Sequence, residues 1–111
     1  MPITVETYEH GEAWVIKLTG SMSAVDALDL QGKLVPAAAH RPVLTIFDMS
    51  GVELMPSLGI GTMMAYTRGV EARGCTVRFA AVQPAVLEMI RRCKLDTVWE
   101  IHDTVDAAAG G

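Results

Sequence analysis

The sequence predicts an α/β fold in a single domain, and three observations predict it. β-Rich runs alternate along the chain with segments whose apolar residues recur at helical spacing. One of those runs, Val43-Leu44-Thr45-Ile46-Phe47, is nearly continuous in apolar and β-branched residues, as a central strand covered on both faces should be. Residues that begin or end helices, among them Pro36, Gly74 and Pro84, stand between the runs. Strands alternating with helices imply parallel neighbours joined by right-handed crossovers, with helices packed on the sheet. A chain of 111 residues supports one hydrophobic core and not two, so one domain over 1–111 is expected.

The first elements read as a hairpin. Ile3, Val5 and Thr7 alternate with polar neighbours, Trp14, Ile16 and Leu18 do the same after a turn at His10, Gly11 and Glu12, and one face should be buried. Gly20 and the stretch Ser21 to Ser23 follow. Ser23 with Asp26 three residues on resembles a capping box, opening a helix through Val25, Leu28 and Leu34 that Pro36 ends. The central strand comes next, with Asp48 expected at its C-terminal edge. From Ser57 to about Arg73, Ile60, Met63, Met64, Thr67 and Val70 form a stripe at helical spacing, and Gly74 supplies the stop. Thr76 to Val82 is another β-rich run. Pro84 then opens a helix at its preferred first position, with Val86, Met89, Ile90 and Cys93 along one face. Val98, Trp99 and Ile101 give a short last strand, and Thr104 to Ala109 a terminal helix or, in its A-A-A-G-G end, a frayed tail.

Composition narrows the function classes. The chain carries 9 Lys plus Arg against 13 Asp plus Glu, a net charge of −4, which disfavours nucleic acid because such binding is driven by a basic patch. Arg91, Arg92 and Lys94 fall at a helix end, where positive charge meets the helix dipole. The opening M-P-I-T-V-E-T lacks the basic and apolar regions of a signal peptide and no apolar run approaches a membrane span, so a cytoplasmic protein without membrane insertion is expected. Cys75 and Cys93 lack a C-x-x-C partner, and His10, His40 and His102 share no ligand spacing. Neither a metal nor any other cofactor is expected.

The functional signal concentrates in D-M-S-G-V-E-L-M-P-S-L-G-I-G, Asp48 to Gly61. Ser57 there sits where a strand gives way to a helix, and its hydroxyl can cap the helix, act as a nucleophile, or accept a phosphate. Serine is a preferred N-cap, so spacing alone favours the cap. A triad of Asp48, Ser57 and His102 has no support, since G-x-S-x-G is absent, and Asp48 is better read as capping the M-S-G loop. Phosphate has a physical basis, because the first helical turn leaves the N–H groups of Leu58, Gly59 and Ile60 unpaired at the positive end of the dipole. Gly59 and Gly61 each cost about 1 kcal/mol relative to alanine inside a helix, so either close packing on the sheet or close approach of a partner must favour them. Met63 or Met64 is expected inside, and Met55 or Leu58 partly outside, as an apolar rim around Ser57.

These residues carry a resemblance over almost the full length. L-T-G at Leu18 to Gly20, Ala27 and Leu30 in A-x-x-L, D-M-S-G-V at Asp48 to Val52, S-L-G-I-G at Ser57 to Gly61, P-A-V at Pro84 to Val86 and L-D at Leu95 and Asp96 resemble, in order and spacing, the STAS domain family of bacterial anti-sigma factor antagonists. The resemblance implies a mixed, mostly parallel sheet of four to five strands with about four helices packed on it, and a non-enzymatic protein-binding role. It implies phosphorylation of Ser57 by a serine kinase that is itself an anti-sigma factor, with a phosphatase restoring the unmodified form. The partner-binding residues expected on this basis are Ser21, Met22, Ser23, Asp48, Met55, Ser57, Leu58, Gly59 and Ile60, and a homodimer or larger assembly is left open.

The sequence also departs from the family pattern. Where the family commonly has D-S-S-G-L-G, this chain has Pro56, Ser57, Leu58, Gly59, Ile60 and Gly61, and Met22 stands where an acidic residue is common. Pro56 in place of the acid and Leu58 in place of the second serine favour an alternative role as an unphosphorylated structural subunit of a signalling assembly or of a transporter ATPase complex.

Overall fold

A computed structural model describes residues 3–23, 26, 29, 30, 32, 34 and 43–110. Five strands lie side by side in chain order: β1 (Thr4–His10), β2 (Ala13–Gly20), β3 (Leu44–Val52), β4 (Thr76–Ala80) and β5 (Glu100–His102). β1 pairs antiparallel with β2 and every later pair is parallel, so the sheet is mixed and mostly parallel. Three helices are described, α1 (Ser57–Glu71), α2 (Pro84–Arg92) and α3 (Val105–Ala108). Asp26, Asp29, Leu30, Gly32 and Leu34 are also helical, with Leu30 and Leu34 buried, while Val25, Ala27, Leu28, Pro36 and His40 lie outside the described residues.

The two sheet faces are covered unequally. On one, Ile16, Leu18, Phe47, Met49, Val77 and Phe79 pack with Leu30 and Leu34, with Ile60, Met63 and Val70 of α1, and with Val86 and Ile90 of α2. Aromatic rings knit this side: Phe47 stacks on Phe79 at 5.3 Å, Phe79 on Trp99 at 4.2 Å, and Tyr66 meets Phe47 edge-on at 5.5 Å. On the other face a smaller cluster of Ala13, Val15, Ile46 and Ala80 is closed by Ala108 of α3.

Several expectations shift for physical reasons. β2 is buried on both faces rather than one, because α3 returns under the sheet to cover Ala13 and Val15. Thr104 to Ala108 are accordingly packed and not frayed: Thr104 Oγ1 accepts the Ala107 N–H at 3.0 Å as an N-cap, Ala108 is fully buried, and Arg78 Nη1 donates to the Ala108 carbonyl at 2.7 Å. The last strand begins at Glu100, since Trp99 leaves the ladder to stack on Phe79 and Val98 is exposed. No helix among the described residues is long and apolar enough to cross a membrane.

Candidate functional site

The candidate surface forms where β2 and β3 end. β3 runs on to Val52, so Asp48 is the fifth of its nine residues and not its edge. Lys17 pairs with Asp48 and Thr19 with Gly51, which sets Met49 and Ser50 opposite Leu18 alone, a β-bulge. Asp48 Oδ1 accepts the Ser50 N–H at 3.0 Å, Gln83 Nε2 donates to the Ser50 carbonyl at 2.6 Å, and the extra residue is thereby held. Gly51 is required by the same crossing: a Cβ there would lie 2.9 Å from the Leu18 carbonyl oxygen and 3.1 Å from Thr19 Cα, backbone atoms that cannot swing aside.

Beyond Val52 the chain enters α1 through Pro56, and here the capping expectation fails. Pro56 is the N-cap, with φ −71° and ψ 164°, and Ser57 is the first helical residue. No side chain caps this terminus, the Ser57 side chain is exposed, and the first turn contains no acidic residue. The Ile60 N–H, expected to be unpaired, donates to the Pro56 carbonyl at 3.1 Å. The N–H groups without an intrahelical acceptor are therefore those of Ser57, Leu58 and Gly59.

The loop after β2 lies against this helix start. The Met22 N–H donates to the Leu54 carbonyl at 3.2 Å. Met22 and Met55 are buried against Gly59, whereas Leu54 and Leu58 are 58% and 47% exposed on either side of Ser57. The expected apolar rim is thus made by Leu58 with Leu54, and Met55 goes inside with Met63. Leu54 and Gln83 carry no periodicity or motif that marks them in the sequence. The capping box is formed as expected: the Ser23 N–H and hydroxyl donate to Asp26 Oδ2 at 3.0 and 2.8 Å, and the Asp26 N–H donates to Ser23 Oγ at 3.2 Å.

Ser21, Met22, Ser23, Met55, Ser57, Leu58, Gly59 and Ile60 are thus gathered at one end of the sheet, and Asp48 is not. Strand alternation turns Asp48 to the face opposite Phe47, away from α1, where it stands near Tyr8. The Tyr8 phenol is pushed up by desolvation first, with the Asp48 and Asp106 carboxylates adding to it. His102 is engaged elsewhere, its Nε2 lying 3.1 Å from Glu100 Oε1. That hydrogen bond is the main cause holding the Glu100 carboxyl below its usual range, with Arg78 helping against desolvation. Among the described residues none hydrogen-bonds the Ser57 hydroxyl, and no group of three His, Cys, Asp or Glu is placed to hold a metal ion. A cavity of about 550 Å³ opens at the opposite end of the parallel strands, but His10 and Asp106 on its wall pair with each other at 2.8 Å and Arg78 is taken by Glu100 and Ala108.

Known proteins share this fold. A family model described as "Mlab, STAS domain" matches residues 5–103. The anti-sigma-F factor antagonist RsfB of Mycobacterium tuberculosis is 24% identical over 115 residues, covering 98% of this chain and 92% of that protein. The crystal structure of an anti-sigma factor antagonist from Mycobacterium paratuberculosis superposes with a TM-score of 0.87 at 24% identity, over 97% of this chain and 92% of the other. SpoIIAA, an anti-sigma factor antagonist from Bacillus, matches with TM-scores of 0.77 in its unphosphorylated form and 0.69 in its phosphorylated form. The identities are 19% and 18%, over 96% of this chain and 93% and 97% of the two SpoIIAA chains. At such identities the solved structures establish the fold.

Proposed function

The chain belongs to the STAS domain family, as an anti-sigma-factor-antagonist-like member, and from that premise we propose that it is a non-enzymatic cytoplasmic regulator whose switch is reversible phosphorylation of Ser57. Its partner on this reading is a serine kinase that is itself an anti-sigma factor, met through the Ser57 end of α1 and the Ser21 to Ser23 loop, with a phosphatase reversing the modification. The observation that carries the reading is the position of Ser57: exposed, first in a fifteen-residue helix, its hydroxyl relieved of capping by Pro56. A phosphate on that oxygen gains the N–H groups of the first turn and the positive end of the helix dipole. It also adds about 1.5 to 2 negative charges beside the apolar rim of Leu54 and Leu58, where a docked partner would have to desolvate them.

Calorimetric titration with a purified serine-kinase anti-sigma factor from the same genome tests the reading. The unmodified chain should bind and Ser57→Glu should bind more weakly, by about tenfold or more, since each tenfold is about 1.4 kcal/mol. Equal binding of the two chains contradicts it. The alternative, an unphosphorylated subunit of a larger signalling or transporter assembly, is favoured by Pro56 and Leu58 flanking the serine. It expects stable co-assembly that Ser57→Glu leaves unchanged.

A further inference from the structure

Gly59 holds a contact that Gly61 does not. A Cβ at Gly59 would run into Met22 Sδ and stand 2.9 Å from Met55 Cγ, whereas at Gly61 it would meet nothing within 4 Å. The third residue of α1 is therefore a socket, and one side chain filling it comes from the other loop of the candidate surface. Met22 is 6% exposed, and its main chain is fastened to Leu54. The next residue, Ser23, is fixed in turn by its reciprocal bonds with Asp26. Met22 thus stands between the Ser23–Asp26 cap on one side and the first turn of α1 on the other. Methionine suits such a place because its unbranched, polarizable side chain follows small changes in the shape of the gap it fills.

We propose that Met22 is a positioning residue that couples the state of Ser57 to the Ser21–Ser23 loop. A charge on Ser57 reorganises the first turn of α1, the thioether lying on Gly59 moves with that turn, and the loop moves with Met22. The inference rests on the reading that one partner meets both segments, for then a modification on the helix alters the loop as well. It extends that reading by naming the contact through which the two ends respond as one.

The coupling can be measured on the full chain without kinase or partner, using Ser57→Glu as the probe charge and amide and methionine-methyl NMR shifts as the readout. In the otherwise unchanged chain, Ser57→Glu should shift the amides of Leu58 to Ile60, those of Ser21 and Ser23, and the Met22 methyl. With Met22→Ala the helix shifts should remain and the Ser21 and Ser23 shifts should vanish, and Met22→Leu, of similar volume, should restore them. Gly59→Ala gives a second route, because a Cβ there would displace the Met22 thioether and crowd Met55 Cγ. It too should remove the Ser21 and Ser23 shifts. Loop shifts that persist in Met22→Ala mean that the charge acts through space, and an unshifted loop in the starting chain means that there is no coupling. Either result overturns the proposal. A kinase that fails to modify Ser57 leaves this measurement untouched, so the two ideas fail separately.

Discussion

The Pro56 carbonyl accepts the Ile60 N–H at 3.1 Å, and that bond takes the capping position away from Ser57. A helix can start from proline because its fixed φ lies in the extended region that an N-cap requires, here −71° with ψ 164°. Serine one position later is helical, exposed and without a capping hydrogen bond.

Ser57→Ala should therefore leave stability within about 0.5 kcal/mol of the starting chain, as for surface positions without a structural role. A true N-cap serine would cost about 1 kcal/mol. Urea denaturation, comparing midpoints at constant slope, distinguishes the two.

The glycines should respond in opposite directions. Gly51→Ala places a methyl group against the Leu18 carbonyl and Thr19 Cα and should destabilise by about 1–3 kcal/mol, because both obstacles are backbone. Gly61→Ala meets open space inside a helix and should stabilise by about 1 kcal/mol. The same denaturation series reads both.

Ser23→Ala removes the acceptor of the Asp26 N–H and the donor to Asp26 Oδ2. The loss should be about 1 kcal/mol, and the Asp26 amide should exchange with solvent faster. A change confined to amides distant from Asp26 would mean that the cap is not formed in solution.

Glu100 sets an acid-side dependence. The His102 hydrogen bond lowers its folded pKa, so the stabilisation is fully present above the ordinary carboxylate range and is lost as pH falls through the lowered value. Carboxyl NMR should show Glu100 titrating below the ordinary range, and His102→Ala should raise its pKa. An unchanged titration in that variant contradicts the assignment.

The fold was legible wherever periodicity and punctuation agree. The run read as a central strand falls in β3 from Leu44 on, with Val43 left outside it and 79% exposed, while Ile60, Met63, Thr67 and Val70 read as the buried stripe of α1 and Pro84 as the first residue of α2, because each pattern is local. Tertiary contacts between distant segments leave no such local mark. Ala13 and Val15 are buried by α3, far along the chain, and Trp99 is drawn from the last strand by its stack on Phe79. At the candidate site the strand-to-helix junction at Ser57 was legible and the placement of its neighbours only partly so. Asp48 shares a motif with Ser57, yet strand alternation sends its side chain to the other face, and the bulge that extends β3 past it depends on pairing with β2. A capping serine and one that does not cap look alike in sequence, and the position of Pro56 at the N-cap tells them apart.

The most direct test of the central claim is site-mapped mass spectrometry of the full chain after incubation with an active serine-kinase anti-sigma factor from the same genome and magnesium ATP. The expected result is one phosphate on Ser57, absent from Ser57→Ala. An unmodified chain, or phosphate on another residue, would contradict the account.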